Sequence, residues 1–179
     1  MNAGKGKTPV PGSSHRSPAP IGVTVKTTVE RGDAYSGAEL CDVGITIIEV
    51  IQGKAAWGRI KAQGISGKPA RTGFEYVLAR IRFFYSRRGS GFEEAGTYSV
   101  SEGQFATASA DGMTEYEVPY VLKQPEPQLI DWPLHPGETR EGWVLLQVPE
   151  KDKQARIVFK RQHVEAIYGL RGYVWFQLH

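Results

Sequence analysis

LHPGETREGWVLLQVPE, residues 134–150, sets turn chemistry, charge, an apolar run and a second proline in strict order. In Pro136-Gly137 the proline presets φ and the glycine supplies a backbone region that other residues avoid, which makes a turn. Glu138 to Glu141 are polar. Val144, Leu146 and Val148 then fall on one side of WVLLQV, at the two-residue period of a strand. Pro149 ends the pairing, because it has no N–H to donate. The order reads as the closing hairpin of an all-β sandwich.

The same period extends through most of the chain. In FEYVLARIRFFYS (74–86), Val77, Ala79, Ile81 and Phe83 lie on one face, with Tyr76, Leu78, Arg80, Arg82 and Phe84 on the other. Ile21, Val23, Val25, Thr27 and Val29 alternate with more polar residues as in a half-buried strand, and ERGDAYSGAE (30–39) reads as a loop. VGITIIEVI (43–51) is a strand whose alternation slips at Ile47-Ile48, as a bulge or burial on both faces would produce. GKAAWGRIKAQG (53–64) holds one short helical turn, and RRGSGFEEAG (87–96) reads as a turn. Strands are expected at 97–107 and 114–123, separated by a turn at Asp111-Gly112, with Pro119 demoting the second to an edge. IVF (157–159) and YVWFQL (173–178) bring the count to about eight strands, which points to a two-sheet sandwich or barrel.

At 179 residues the chain is one domain with a tail. Residues 1–20 are Gly, Ser, Pro and Lys with almost nothing to bury, so they read as a disordered tail or linker ahead of a 21–179 domain. Removing residues 2–18 is then expected to move the melting temperature by no more than ~1–2 °C. These residues lack the apolar core of a signal peptide, and no window reaches the ~18 apolar residues of a membrane span. The net charge of +3 is mildly basic, a weak pointer to polyanions. Cys41 has no second cysteine to pair with and reads as a buried structural residue. Ala38-Glu39-Leu40 before it does not suit lipidation.

Residues that carry chemistry are scattered. His15, His135, His163 and His179 show no metal-ligand spacing, and Asp111, Glu115 and Glu117 lack the looped spacing of a calcium site. Cys41, His135 or His163, and Asp131 can be written as a triad, but nothing in the sequence gathers them. No nucleophile-elbow or phosphate-loop pattern occurs. The expectation is a protein that is not an enzyme, with no catalytic residue, cofactor or metal. Charge order is more suggestive. Residues 54–88 carry nine bases against Glu75, and 89–127 carry seven acids against Lys123. One reading is a basic, aromatic-dotted face for a polyanion or nucleic acid, using Tyr76, Arg80, Arg82 and Phe84. The other, which is favoured, has oppositely charged neighbouring strands pairing across a sheet. Trp143 and Trp175 join those four residues as a candidate binding face on the outer surfaces.

Two stretches carry a family resemblance. One runs from Glu49-Val50-Ile51-Gln52-Gly53 to Gly73-Phe74-Glu75-Tyr76-Val77; the other is Leu134-x-Pro136-Gly137, Gly142-x-Val144 and Val148-Pro149. Together they resemble the bacterial domain-of-unknown-function family of telokin-like, immunoglobulin-type β-sandwich domains found in secreted proteins and lipoproteins. The resemblance spans residues 21–160. It implies an immunoglobulin-like two-sheet sandwich and an extracytoplasmic, non-enzymatic binding or adhesion module for an unknown protein or cell-surface ligand.

Overall fold

The structure, a computed structural model, describes residues 9–33, 37–88, 96–121, 123–161 and 172–179. Two antiparallel four-stranded sheets face each other. The first is built from β1 (Thr24–Asp33), β2 (Gly37–Gln52), β3 (Phe74–Arg87) and β6 (Thr139–Pro149), in the order β1-β2-β3-β6. The second is built from β4 (Phe105–Ala108), β5 (Glu115–Tyr116), β7 (Arg156–Lys160) and β8 (Tyr173–Gln177), in the order β5-β4-β7-β8. The protein is therefore an all-β two-sheet sandwich. An immunoglobulin constant domain sends its third strand to the opposite sheet. Here β1, β2 and β3 stay together as a meander, so the likeness is one of two-sheet architecture.

Period-two patterning decides what fills the space between the sheets. Val43, Ile45 and Ile47 of β2, Val77, Ala79, Ile81 and Phe83 of β3, and Val144, Leu146 and Val148 of β6 all enter one buried cluster. They meet Phe105, Ile157, Phe159, Val174 and Phe176 from the second sheet. Phe83 stacks on Tyr98 at 5.5 Å between ring centroids and tilts against Phe159 at 5.8 Å. The expected slip in β2 is a bulge, with the register against β3 shifting between Ile47 and Glu49. The Asp111-Gly112 turn also forms: Gly112 N–H donates to the Ser109 carbonyl at 2.9 Å, and β4 pairs with β5 across it.

Several expectations are corrected. The 134–150 stretch does not close a hairpin. Its strand, β6, pairs along β3, and after Pro149 the chain crosses to the other sheet, where β7 pairs with β4 and β8. The other edge of β6 is occupied, since Trp143 N–H donates to the Pro127 carbonyl at 2.9 Å. The Pro-Gly turn does form. Gly137, at φ +91°, donates to the Tyr85 carbonyl (2.8 Å), and Tyr85 N–H returns a bond to the Glu138 carbonyl (3.0 Å). β1 and β2 run into the expected loop at 30–39 and pair as far as Asp33 with Gly37. Of the strand expected at 97–107 only β4 remains, because Tyr98 and Val100 bridge instead to Leu134 and Ile130. Of the strand at 114–123 only β5 remains. Beyond it the Glu117 carbonyl accepts from the Gln147 side chain rather than from a strand, and Pro119 has no N–H to pair. Most of the expected turn at 87–96, together with Leu122 and His163, lies outside the described residues.

Two segments cover parts of the sandwich's outside. The expected single helical turn is a ten-residue helix, α1 (Gly53–Ala62). Ala56 and Ile60, one turn apart, lie in a second buried cluster with Tyr76, Leu78, Trp143 and Leu145 on the outer side of the first sheet.

The second cover corrects the tail. Residues 9–20 are laid along the edge of β8. Ala19 N–H donates to the Trp175 carbonyl (2.8 Å), Gln177 N–H to the Ala19 carbonyl (2.9 Å) and Trp175 N–H to the Gly12 carbonyl (3.0 Å). Ala19 is fully buried in the main core. Gly12 has φ +83°, and a Cβ there would stand 2.8 Å from a Val25 methyl, so only glycine fits the passage. The physical reason is that an edge strand offers unpaired backbone groups to any segment that reaches it, whether or not the segment has apolar side chains. Residues 1–8 lie outside the described residues.

Candidate functional site

Strand register maps the outer face of the first sheet into rows. Across β1, β2, β3 and β6 run Thr28–Asp42–Ser86, then Lys26–Gly44–Phe84–Thr139, then Thr24–Thr46–Arg82–Glu141. Directly opposed residues share a face, so these polar side chains and one aromatic ring form a continuous surface. Past the β2 bulge, Arg80 pairs in register with Trp143, and the surface passes under α1. One half of the face is therefore covered and apolar, and the other is open and polar. The open half holds a shallow trough of about 440 Å3 lined by residues including Lys26, Asp42, Gly44, Phe84 and Arg88.

The six residues expected to form a binding face divide among three places. Tyr76 and Trp143 are buried under α1, 7% and 3% exposed. Tyr76 packs on Trp57 at 6.0 Å and its hydroxyl donates to the Lys68 carbonyl, while the Arg59 guanidinium covers Trp143 at 3.9 Å. Trp175 is on the other sheet, beneath the N-terminal strap, with the His15 ring edge-on at 5.7 Å. The six residues therefore do not share one face: alternation shows which residues leave the core but not which segment then covers them. Arg80, Arg82 and Phe84 remain on the open half, and Phe84 is 38% exposed.

Arg80 and Arg82 share one carboxylate. Arg80 Nη2 lies 2.8 Å from Glu141 Oε2, and Arg82 Nε donates to Oε1 at 2.8 Å. Opposite charges do pair across neighbouring strands, but the acid is on β6, not in the 89–127 block, because β3 is flanked by β2 and β6. Hydrogen bonding from Arg82, with the charges of both guanidiniums, holds the Glu141 carboxyl below its ordinary range. A depressed folded-state pKa contributes stability that is present above the unfolded value and lost as pH falls through the folded one. Arg80→Glu with Arg82→Glu puts three carboxylates together. In a urea melt at pH 7 it is expected to cost about 1–3 kcal/mol, a range kept low because the pair is solvent-screened. The deficit shrinks below about pH 4, where the carboxyls take up protons. A variant as stable as wild type at pH 7 would contradict a structural role for the pair.

The other candidate groups are engaged structurally. Cys41 is fully buried, with its thiol 3.8 Å from the Tyr85 hydroxyl, and burial pushes its pKa up, away from the thiolate a nucleophile needs. Tyr85, itself raised to about 12 by burial and then by Cys41, donates to the Gly96 carbonyl. His135 and Asp131 lie exposed at the surface. Asp111 accepts from the Ser109 hydroxyl and the Met113 N–H, Glu115 pairs with Lys160, and Glu117 pairs with Arg71. Among the described residues no three of His, Cys, Asp and Glu form a group able to hold a metal ion, and no helix is long and apolar enough to cross a membrane.

A second recess of about 500 Å3 lies between α1 and residues 69–73. Two of its ions already have partners: Arg71 covers the Phe74 ring and bonds Glu117, and Glu75 faces Lys153 at 3.9 Å. The open trough is the better candidate, and most of it was missed by sequence reasoning. Lys26, Asp42, Gly44 and Arg88 come together only through the β1-β2-β3 register. The one signal for it was Gly44, a glycine inside a strand pattern. No protein-family model, curated protein or solved structure matches the chain.

Proposed function

We propose that this protein is a non-enzymatic binding or adhesion module that works outside the cytoplasm and presents the open half of its first sheet to a ligand. One observation carries the reading. α1 covers the apolar residues at one end of that face, while Phe84 at the other end stays 38% exposed in a trough of about 440 Å3, within the size range of small-ligand sites. The residue types there favour holding over reacting: hydroxyls, a ring, a lysine, and an Asp42–Arg88 ion pair. The extracytoplasmic part of the proposal rests on the family resemblance of the Glu49–Val77 and Leu134–Pro149 stretches. Polyanion binding through the whole 54–88 segment is less well supported, because Arg71, Arg80, Arg82 and Arg88 each hold an acid.

The test is an array of glycans, oligonucleotides and peptides probed with the full chain, Phe84→Ala, and Arg80→Glu with Arg82→Glu. The expected result is a ligand retained by wild type and lost by Phe84→Ala. Retention by Phe84→Ala, loss confined to the arginine variant, or no retained ligand at all would each overturn the proposal.

A further inference from the structure

Gly44 is the feature of the open half that the fold does not require. It sits inside β2, between Lys26 on β1 and Phe84 on β3. Its backbone is outside the left-handed region, and a Cβ there would make only ordinary contacts, 3.6 Å to Phe84 Cβ and 3.6 Å to Thr24 Cγ2. Neither strain nor crowding excludes a side chain. Glycine weakens a strand interior and often marks a place where another group approaches closely. Gly44 therefore leaves a gap in the row between its in-register neighbours Lys26 and Phe84. Strand spacing puts these two residues roughly 10 Å apart.

The charges lining the trough are unequal. Asp42 Oδ1 accepts from the Thr28 hydroxyl (3.1 Å) and Oδ2 from Arg88 (3.1 Å), so both its oxygens are engaged. Lys26 has no ionic partner among the described residues, which leaves one uncompensated cation facing one exposed ring.

We propose that the trough binds an acidic saccharide, resting the C–H face of a sugar unit on Phe84 and its carboxylate or sulfate on Lys26. This inference deepens the binding-module reading and rests on it. A nucleic acid brings a charge at every nucleotide and draws its affinity from several free cations, of which the trough has one. A peptide is usually taken at a sheet edge or in side-chain pockets, whereas this trough crosses the face of paired strands.

The experiment titrates the full chain, by calorimetry and amide shifts, with tri-galacturonate and short alginate, hyaluronate and heparin fragments. A neutral galactose trimer, oligothymidylate and an oligoglutamate peptide serve as comparators. At least one acidic saccharide is expected to bind, shift the Gly44 and Phe84 amides, and weaken with salt. Lys26→Glu is expected to weaken it by about 5–10-fold. Gly44→Leu, which fills the trough, and Phe84→Ala, which removes an exposed ring without touching the core, should lower affinity at least as much. The inference is overturned if no acidic saccharide binds, if the neutral trimer binds equally, if Lys26→Glu binds like wild type, or if oligothymidylate or oligoglutamate is preferred. A different ligand class that still depends on Gly44 and Phe84 would leave the binding-module reading standing and remove only this one.

Discussion

Leu146→Asp yields a chain with no cooperative unfolding transition and a collapsed amide spectrum. Leu146 is fully buried, paired in register with Val77, in the cluster that both sheets share. A carboxylate there has no cation or donor to meet it, and burying an unpaired charge costs several kcal/mol against a total stability of about 5–15. Leu146→Ala separates burial from charge: it loses about 2–5 kcal/mol to a cavity but still unfolds cooperatively. Circular dichroism during a urea titration reads both. A Leu146→Asp protein with a wild-type melt would mean that β6 presents Trp143 and Leu145, not Leu146, to the inter-sheet core.

The second large effect comes from the opposite end of the chain. Deleting residues 2–19 is expected to lower the melting temperature by about 5–15 °C. Three backbone hydrogen bonds to the edge of β8 are lost, the core loses Ala19, and Trp175 loses the cover of Gly12 and His15. At roughly 0.5–1.5 kcal/mol per bond, and with the freed segment regaining chain entropy, the net loss is about 2–4 kcal/mol. For a chain of this size each kcal/mol moves the midpoint by about 2–4 °C. Calorimetry decides the matter. A midpoint within about 2 °C of wild type would restore the sequence-based view of an undocked tail.

The two predictions differ in how far the sequence foretold them. Which side chains of β3 and β6 enter the core is a property of each strand alone, set by alternation, and the sequence determined it: Val77, Ala79, Ile81 and Phe83 on one, Val144, Leu146 and Val148 on the other. It determined the turns at Asp111-Gly112 and Pro136-Gly137 in the same way, because their chemistry lies within a few consecutive residues, and it marked the slip at Ile47-Ile48 that the β2-β3 register shows to be a bulge. Which strand lies beside which was left to the tertiary structure. β6 joins β3 and leaves β7 to the other sheet, so Arg80 and Arg82 find Glu141 instead of the acids that follow them in sequence. Cover was also a tertiary matter. Trp143 and Phe84 are both apolar residues on outward-facing strand positions, yet one is sealed by α1 and the other is open to solvent. Residues 9–20, with little to bury, are docked because β8 has an edge that their backbone can satisfy. Alternation records only whether a side chain points toward or away from the core; burial beyond that depends on segments distant in sequence, as do the neighbours that place Lys26 and Phe84 on either side of Gly44.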